Sequence, residues 1–378
     1  MFLKKLNLTN FRNYSNLELD FDTRPTILVG NNAAGKSNIL EAIYLLSTTK
    51  SLRVETEDEL IKKGEEFTRV EGFLTNTGET ELLVIINRPS KEVGFKKKVL
   101  VNGISRRVVD FIGHLPAIIF YPSDINMVTG SPSLRRWHLD LALVQVDHEY
   151  KKALTNYEQF LTARNRVLKR IREGQGRKDE LDYWTAGLVE NGQIISTKRL
   201  AFFEFINTLE KPLGEFRFEY LPNKVSEEKL VQTQEREIAA AATLIGPHRD
   251  DFRIVILNEV KDLSTSLSPT SVGDSSSKTP QNDNGRNVAK FGSRGEHRTA
   301  TLAFKLAQLE YMAQILGTRP ILLLDDVFSE LDASHRAHVV EVVSKQQTVI
   351  ATVELENIPQ SFLDSARILK VENGQITS

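Results

Sequence analysis

Residues 30–37 read Gly-Asn-Asn-Ala-Ala-Gly-Lys-Ser and match the phosphate-binding pattern G-x-x-x-x-G-K-[ST] at every fixed position. The apolar run at 25–29 predicts a buried strand before the loop, and apolar residues at helical spacing predict a helix over 37–46. A strand, a glycine loop and a helix N-terminus form an anion cradle, because backbone N–H groups and the helix dipole point at a bound phosphate. The alternative, a chance glycine-rich turn, gives no reason for these flanks.

The loop predicts a nucleotide site with Mg²⁺ beside it. Lys36 is expected to reach the β and γ phosphates and to act in catalysis, and the Ser37 hydroxyl is expected to bind Mg²⁺. The loop residues predicted to contact the nucleotide are Gly30, Asn31, Asn32, Ala33, Ala34, Gly35, Lys36, Ser37 and Asn38.

The composition is that of a soluble globular protein, with 40% hydrophobic and 26% charged residues. A length of 378 residues predicts two domains, and a net charge of −1 means that any basic surface must be local. The absence of cysteine excludes disulfides and cysteine-ligated zinc, and the seven histidines show no metal-ligand spacing. Without a signal-peptide core or an apolar run of about 18 residues, we expect a cytoplasmic protein with no membrane contact.

The pattern along the chain predicts an α/β fold interrupted by helices. Strand-like runs flank the loop at 2–9, 15–21, 67–75, 81–88 and 95–101. Helical spacing then dominates from 133 to 210. We therefore predict a head built from residues 1–120 and 240–378, with a mainly helical arm, residues 121–239, inserted between them. The Ser/Thr/Asn/Gly-rich stretch 263–287 predicts a flexible insertion within the head.

An apolar strand ending in two carboxylates lies at 320–326, Pro-Ile-Leu-Leu-Leu-Asp-Asp. Beside a phosphate loop, Asp325 is expected to hold Mg²⁺, and Asp326 is expected to orient or deprotonate the attacking water. The alternative is that the two aspartates only end a strand.

A second loop-and-helix feature begins at Ser293-Arg-Gly-Glu, about thirty residues before the acidic strand. A hydroxyl, a glycine amide and a helix N-terminus can together contact an anion. The alternative is a capping box, with Ser293 as the cap and Glu296 three residues later.

The order of these motifs resembles the ABC-type ATPase heads of the SMC and RecF group, and within it the RecF family. The resemblance covers nearly the whole chain outside 263–287. Its further stretches are Asn10-Phe-Arg-Asn-Tyr, Phe120-Tyr-Pro-Ser-Asp, Gly130-Ser-Pro-Ser-Leu-Arg-Arg-Trp-His-Leu-Asp, Gly246-Pro-His-Arg-Asp-Asp-Phe and Leu323-Leu-Asp-Asp-Val-Phe-Ser-Glu-Leu-Asp.

The resemblance implies roles at matching positions. Ser293, Gly295 and Glu296 fill the signature motif that contacts ATP bound to the other subunit of a dimer, although Glu296 stands where glutamine is more usual. Asp332 belongs to a loop that crosses the dimer interface, and Arg12 matches an arginine that contacts nucleotide. Asp326 replaces the glutamate of transporter heads, and its shorter side chain implies slow hydrolysis.

The resemblance also implies a function. It predicts a weak, DNA-stimulated ATPase that closes as an ATP-dependent homodimer, binds double-stranded and single-stranded DNA at gaps, and helps to load recombinase. Its implied partners are RecR and RecO, and its implied location is the cytoplasm, in association with the nucleoid. The rival hypotheses are an ABC-type ATPase without a DNA role and a catalytically silent, nucleotide-dependent adaptor.

Three groups of basic residues keep two interpretations each. The segment 164–178 carries seven basic residues, which could neutralise DNA phosphates or form a solvated helix face. Arg135 and Arg136 could contact phosphate or pair with acids such as Asp140. His248 and Arg249 could face the nucleotide or stabilise a turn.

Overall fold

The computed structural model of the chain describes residues 2–75, 78–88, 94–257 and 285–377. Its strands are, in chain order, β1 (Phe2–Phe11), β2 (Tyr14–Asp20), β3 (Thr26–Val29), β4 (Phe67–Thr75), β5 (Glu79–Asn87), β6 (Lys97–Val101), β7 (Ile104–Arg106), β8 (Ala117–Phe120), β9 (Phe216–Leu221), β10 (Asp251–Leu257), β11 (Gly285–Asn287), β12 (Ile321–Asp325), β13 (Thr348–Thr352), β14 (Arg367–Glu372) and β15 (Gln375–Thr377).

The helices are, in chain order, α1 (Lys36–Thr48), α2 (Val108–Phe111), α3 (Asn126–Thr129), α4 (Pro132–Val146), α5 (His148–Arg172), α6 (Asp182–Thr208), α7 (Glu227–Ala240), α8 (Val288–Phe291), α9 (Arg294–Leu316), α10 (Ala333–Val343) and α11 (Gln360–Leu363). In the described ranges, none of them is long and apolar enough to cross a bilayer.

A largely parallel sheet with the order β15-β14-β3-β13-β12-β8 places the two ends of the chain side by side. Leu28 of β3 pairs with Ala351 of β13, and Leu324 of β12 pairs with Phe120 of β8. Because parallel strands end at the same edge, the phosphate loop after β3 and the acidic pair at the end of β12 share one sheet edge. The predicted strands before the loop and before Asp326 are confirmed.

An antiparallel sheet with the order β2-β1-β4-β5-β6-β7 covers the other side of α1. Helix α1 is buried along nearly its whole length, since Leu40, Ile43 and Leu46 lie in one hydrophobic core with residues of both sheets. The predicted strands of this half are confirmed within the described residues.

A second core lies among α4, α5, α6, α9 and a three-stranded sheet with the order β11-β10-β9. Aromatic side chains fill it, and Phe304 of α9 stacks on Phe252 of β10 with ring centroids 4.8 Å apart. The strand β9 comes from the predicted arm, and β10 comes from the predicted C-terminal part of the head, so this sheet joins the two. Of the predicted insertion 263–287, only 285–287 is described, as strand β11; the rest lies outside the described residues.

Candidate nucleotide site

The phosphate loop connects β3 to α1 in a shape that two of its glycines allow. A Cβ on Gly30 would lie 2.2 Å from the Val371 carbonyl oxygen, so β14 leaves room only for glycine there. Gly35 adopts φ 116°, and a Cβ on it would lie 2.6 Å from the Tyr14 hydroxyl. Both glycines of the motif are therefore fixed by packing and backbone conformation. Asn31, Asn32 and Ala33 form the exposed tip.

Residues from outside the motif hold the loop in place. The Asn13 side-chain amide donates to the Ala34 carbonyl at 3.1 Å, and the buried Tyr14 hydroxyl donates to the Gly35 carbonyl at 3.1 Å. The Gly374 amide also donates to the Ala34 carbonyl, at 3.0 Å. None of these three was predicted as a site residue; Asn13 and Tyr14 belong to a stretch that carried only the family resemblance.

The Lys36 ammonium lies over the loop. It donates to the Gly30 carbonyl at 2.7 Å and to the Asn31 carbonyl at 2.8 Å. Burial lowers its pKa, and the negative charges of Asp325 and Asp326 oppose that shift. The structure thus places a cation at the mouth of the loop with two carboxylates near it.

Ser37 and Asp325, the two predicted Mg²⁺ ligands, meet although 288 positions separate them. The Ser37 hydroxyl donates to Asp325 Oδ1 at 2.8 Å. Burial raises the pKa of Asp325, and the bond from Ser37 and the charge of Arg53 oppose the rise. A hydroxyl and a carboxylate are the hard oxygen donors that Mg²⁺ prefers.

Two further observations describe the surroundings of this pair. Among the described residues, no group of three or more His, Cys, Asp or Glu side chains is placed to hold a metal ion. The Tyr121 hydroxyl, at the end of β8, is buried without a hydrogen-bond partner in the described part of the chain.

Asp326 follows Asp325 with an unusual backbone. Its φ is 51°, its amide donates to the Ala351 carbonyl at 2.8 Å, and its carbonyl accepts from the Ser329 hydroxyl at 2.8 Å. The backbone of Asp326 is thus fixed by two hydrogen bonds, while its carboxylate, unlike that of Asp325, is not the acceptor of the Ser37 hydroxyl. The geometry therefore allows two roles for the two acids.

Arg12 lies beside α1 and is paired with Glu41. Its Nε and Nη2 atoms donate to the two carboxylate oxygens at 2.9 and 2.8 Å. Arg53 approaches the same carboxylate at 3.4 Å and donates to the Asn38 side chain at 3.0 Å. Neither Glu41 nor Arg53 was predicted, although Glu41 stands four residues after Ser37, on the same helix face.

The signature segment begins α9 and is exposed. Ser293 accepts from the Glu296 amide at 3.2 Å, and Glu296 accepts from the Ser293 amide at 2.6 Å. The capping box is thus present, and Gly295 is exposed, with only the Ser293 hydroxyl within 4.0 Å of a Cβ placed on it. Asp332 likewise caps α10 by accepting from the His335 amide at 2.9 Å, and its side chain is 62% exposed.

The helix that begins with the signature segment packs near the edge of the largely parallel sheet. Lys305 of α9 pairs with Asp124, just after β8, at 3.3 Å. β8 is an edge strand, and it lies three strand positions from β3, the strand that leads into the phosphate loop.

The basic candidates outside the loop are engaged in internal contacts. Arg135 pairs with Asp251 at 2.6 and 2.9 Å, which supports the interpretation that it pairs with an acid, although the acid is Asp251 and not Asp140. Arg136 donates to the Asp250 carbonyl at 2.6 Å. Asp140 pairs instead with the buried Arg199, at 2.8 Å.

His248 is also engaged in internal contacts, whereas the segment 164–178 is mostly exposed. The His248 ring bonds the Tyr157 hydroxyl at 2.7 Å and the Thr243 carbonyl at 3.1 Å, which supports the turn-stabilising interpretation. Arg164 is buried against Glu237, and the exposed basic residues of 164–178 are Arg166, Lys169, Arg170, Arg172, Arg177 and Lys178. The buried arginine is removed from any DNA-binding face.

Comparison with known proteins identifies the family. The family "RecF/RecN/SMC N terminal domain" matches residues 2–377. A curated relative from Bacillus cereus (strain G9842), named DNA replication and repair protein RecF, is 33% identical over 401 residues, which include 100% of this chain and 98% of the relative. The chain belongs to the RecF family. A relative of the same name from Bacillus anthracis (strain CDC 684 / NRRL 3495) shows the same identity and coverage.

Solved structures of RecF proteins share the whole fold. One described as the recombination mediator protein RecF-ATP in the RecFOR pathway has a TM-score of 0.81 and 28% identity, covering 100% of this chain and 97% of that one. An Smc head domain from Pyrococcus furiosus, bound to the C-terminal domain of ScpA, has a TM-score of 0.52 at 15% identity, covering 100% and 95% of the two chains. The predicted α/β, ABC-type ATPase fold is thus confirmed.

Proposed function

We propose that this protein is an ATP-dependent DNA-binding clamp of recombinational repair and replication, with slow ATP hydrolysis as its release switch. One observation carries the proposal: Ser37 and Asp325 meet at 2.8 Å beside a complete phosphate loop. Such a pair, next to a lysine at the loop mouth, suits a nucleoside triphosphate with Mg²⁺. The RecF relative described with ATP supports ATP as that nucleotide.

Each residue of the site has a proposed task. The loop amides and Lys36 bind the phosphates, and Ser37 and Asp325 would hold Mg²⁺, which supplies charge stabilisation on the phosphoryl oxygens when bound. Asp326 orients the attacking water and accepts its proton. Its side chain is one methylene shorter than that of glutamate, which favours a slow reaction. Arg12, Asn31, Asn32 and Asn38 line the nucleotide.

ATP would close two copies of the chain face to face. The support is that α9 packs against the β8 edge of the sheet, three strand positions from β3, and that the signature segment at its start is exposed. With Ser293 exposed and Gly295 open, this segment is free to contact the nucleotide of a second copy. Asp332, exposed at the start of α10, would lie in the same interface. The ATP-dependent state is then a homodimer.

The DNA role rests on the family. Curated relatives carry the name DNA replication and repair protein RecF, and a structural relative is called a recombination mediator in the RecFOR pathway. We therefore propose double-stranded and single-stranded DNA, RecR and RecO as partners, and the nucleoid of the cytoplasm as the location. DNA bound between closing heads would stimulate hydrolysis by favouring the dimer.

The test is DNA binding by the purified full chain at physiological salt. Duplex and gapped DNA are titrated with ATP, with ADP and without nucleotide, and phosphate release is followed in parallel. Tight binding that appears only with ATP is expected. Binding that is absent or indifferent to nucleotide would contradict the clamp, and zero turnover with ATP-dependent dimerisation would favour a silent adaptor.

The assignment of the signature segment to the partner's site has its own test. Ser293→Arg places a bulky cation at an exposed helix start, so it should leave ATP binding to the monomer unchanged and block dimerisation. Calorimetry of ATP binding and sedimentation with ATP measure the two effects. A loss of ATP affinity in the monomer would show that Ser293 acts within its own chain.

A further inference from the structure

We propose that Glu41 is a positioning residue of the nucleotide site: its buried carboxylate holds Arg12 and Arg53 at the edge of the phosphate loop. This inference rests on the proposed ATP binding. It adds a residue that neither the phosphate-loop motif nor the acidic strand includes.

The Glu41 carboxylate is the meeting point of several donors. Arg12 grips both oxygens, at 2.9 and 2.8 Å, and Arg53 Nη1 lies 3.4 Å from one of them. The Ser51 hydroxyl donates to the same carboxylate. A two-pronged arginine–carboxylate contact fixes orientation as well as distance. Glu41 is the contact that the two guanidinium groups share; Arg12 Nη1 also donates to the Glu59 carbonyl at 3.2 Å, and Arg53 also donates to the Asn38 side chain.

Because the Glu41 carboxylate is buried, losing its hydrogen-bond partners would lower the stability of the fold. The Glu41 side chain is 1% exposed, and a buried carboxylate without partners is strongly destabilising. Counted by themselves, these two arginines and one glutamate carry one positive charge, and the carboxylates of Glu59 and Asp325 interact with Arg12 and Arg53 from outside the group. The group is therefore not a neutral ion pair. Its extra positive charge lies beside the loop where we expect the phosphate anion to bind.

Arg12 is linked to the phosphate loop through its neighbours in the chain. Arg12 immediately precedes Asn13 and Tyr14, whose side chains bond the Ala34 and Gly35 carbonyls. Its own φ is 54°, and its amide donates to the Leu60 carbonyl at 2.9 Å. A shift of Arg12 away from Glu41 would therefore pull on the segment that anchors the loop.

Arg53 connects the same carboxylate to the Mg²⁺ side of the site. It donates to the Asn38 side chain at 3.0 Å, and Asn38 in turn donates to Asn13 at 2.8 Å. Its guanidinium lies 5.8 Å from the ring centre of Tyr121. Glu41 therefore belongs to one network of contacts that includes Asn13, Asn38 at the start of α1, and Tyr121 after β8.

The chain offers a matched control. Glu237 is a second fully buried carboxylate, and it pairs with Arg164 at 2.7 Å and accepts from the Leu244 amide at 2.7 Å. This pair joins α7 to α5, away from the phosphate loop. If Glu41 served only to fill and neutralise the interior, Glu41→Gln and Glu237→Gln would have the same kinds of effect.

The experiment compares ATP affinity and thermal stability of the full chain for wild type, Glu41→Gln and Glu237→Gln. We expect ATP binding about tenfold weaker in Glu41→Gln, corresponding to a few charge-assisted hydrogen bonds displaced. Glu237→Gln should lower the melting temperature and leave ATP affinity within about twofold. Equal ATP affinities in the two variants would overturn the positioning role.

A double-mutant cycle separates action through the arginines from a general loss of structure. On the background Arg12→Ala with Arg53→Ala, Glu41→Gln should weaken ATP binding no further, since the groups it positions are gone. A further tenfold loss would overturn the inference. If the wild-type protein itself fails to bind ATP while remaining folded, the proposed function fails first, and this inference falls with it.

Discussion

At the phosphate loop, the ammonium of Lys36 lies over two loop carbonyls near the site's carboxylates, whereas on α5 the guanidinium of Arg164 is enclosed by Glu237 and Thr243. Both cations are buried. The loop lysine rests on neutral acceptors that phosphate oxygens can replace, while the arginine on α5 already has a carboxylate. The surrounding acceptors, and not the residue type, decide whether a buried cation serves binding or folding.

The largest expected effect removes the binding cation. Lys36→Met should abolish nucleotide-driven dimerisation, because the loop loses its one side-chain charge toward the phosphates. Sedimentation at saturating ATP measures it. Lys345→Met, which removes an exposed lysine paired with Glu341, is the control and should dimerise as the wild type does. If Lys36→Met still dimerised as the wild type does, Lys36 would not be the nucleotide-binding cation that distinguishes the phosphate loop from the buried Arg164 site.

The second effect removes the folding cation. Arg164→Ala leaves Glu237 buried without its partner, so the free energy of unfolding should fall by about 3–5 kcal/mol. Urea unfolding measures this, and ATP affinity should stay unchanged. Arg177→Ala breaks an exposed pair with Asp179 and should change stability by less than about 1 kcal/mol. A loss of ATP affinity in folded Arg164→Ala would mean that α5 also serves the nucleotide site.

The smallest effect concerns a proton near α5. The Thr243 carbonyl can only accept, so His248 Nε2 carries the hydrogen and Nδ1 accepts from the Tyr157 hydroxyl. Burial lowers the pKa of His248 to about 4, and the bond to Thr243 opposes that shift. The neutral ring is thus favoured in the folded state. Its stabilisation is complete above the unfolded pKa of about 6.5 and declines as pH falls toward 4.

His248→Gln should therefore reduce the loss of melting temperature between pH 7.5 and pH 5 by about 2–4 °C relative to wild type. Melting curves at the two pH values test this. His148→Gln, at the exposed start of α5, is the control and should retain the wild-type pH dependence. The same loss of melting temperature in His248→Gln and wild type would show that the ring is not held neutral by the fold.

Much of the candidate site could be predicted because its chemistry is local. The loop 30–37 places strand, glycines, lysine and serine within a few residues, and the strand 321–325 ends at its own carboxylate. Residues that support this chemistry from a distance were missed. Glu41, Asn13 and Arg53 make contacts across the fold, and although Glu41 stands four residues after Ser37, that spacing does not show which arginines it pairs with.

The basic residues show most clearly what could not be predicted from the sequence. In the sequence, Arg135, Arg136 and the segment 164–178 have the same appearance whether they face DNA or the interior. The structure pairs Arg135 with Asp251, which is 116 positions away, and Arg164 with Glu237, which is 73 away. Pairing over such separations depends on how helices and strands pack, and one sequence does not reveal it.

The phosphate loop, the acidic strand, the capped start of α9 and the family that their order suggests could all be predicted from the sequence, because each depends on residues close together in the chain. Folding in three dimensions brings Ser37 to Asp325, gathers two arginines around Glu41 beside the loop, and places α9 at the β8 edge of the sheet. These depend on the parallel pairing of β3, β13 and β12, which brings the two ends of the chain to one sheet edge.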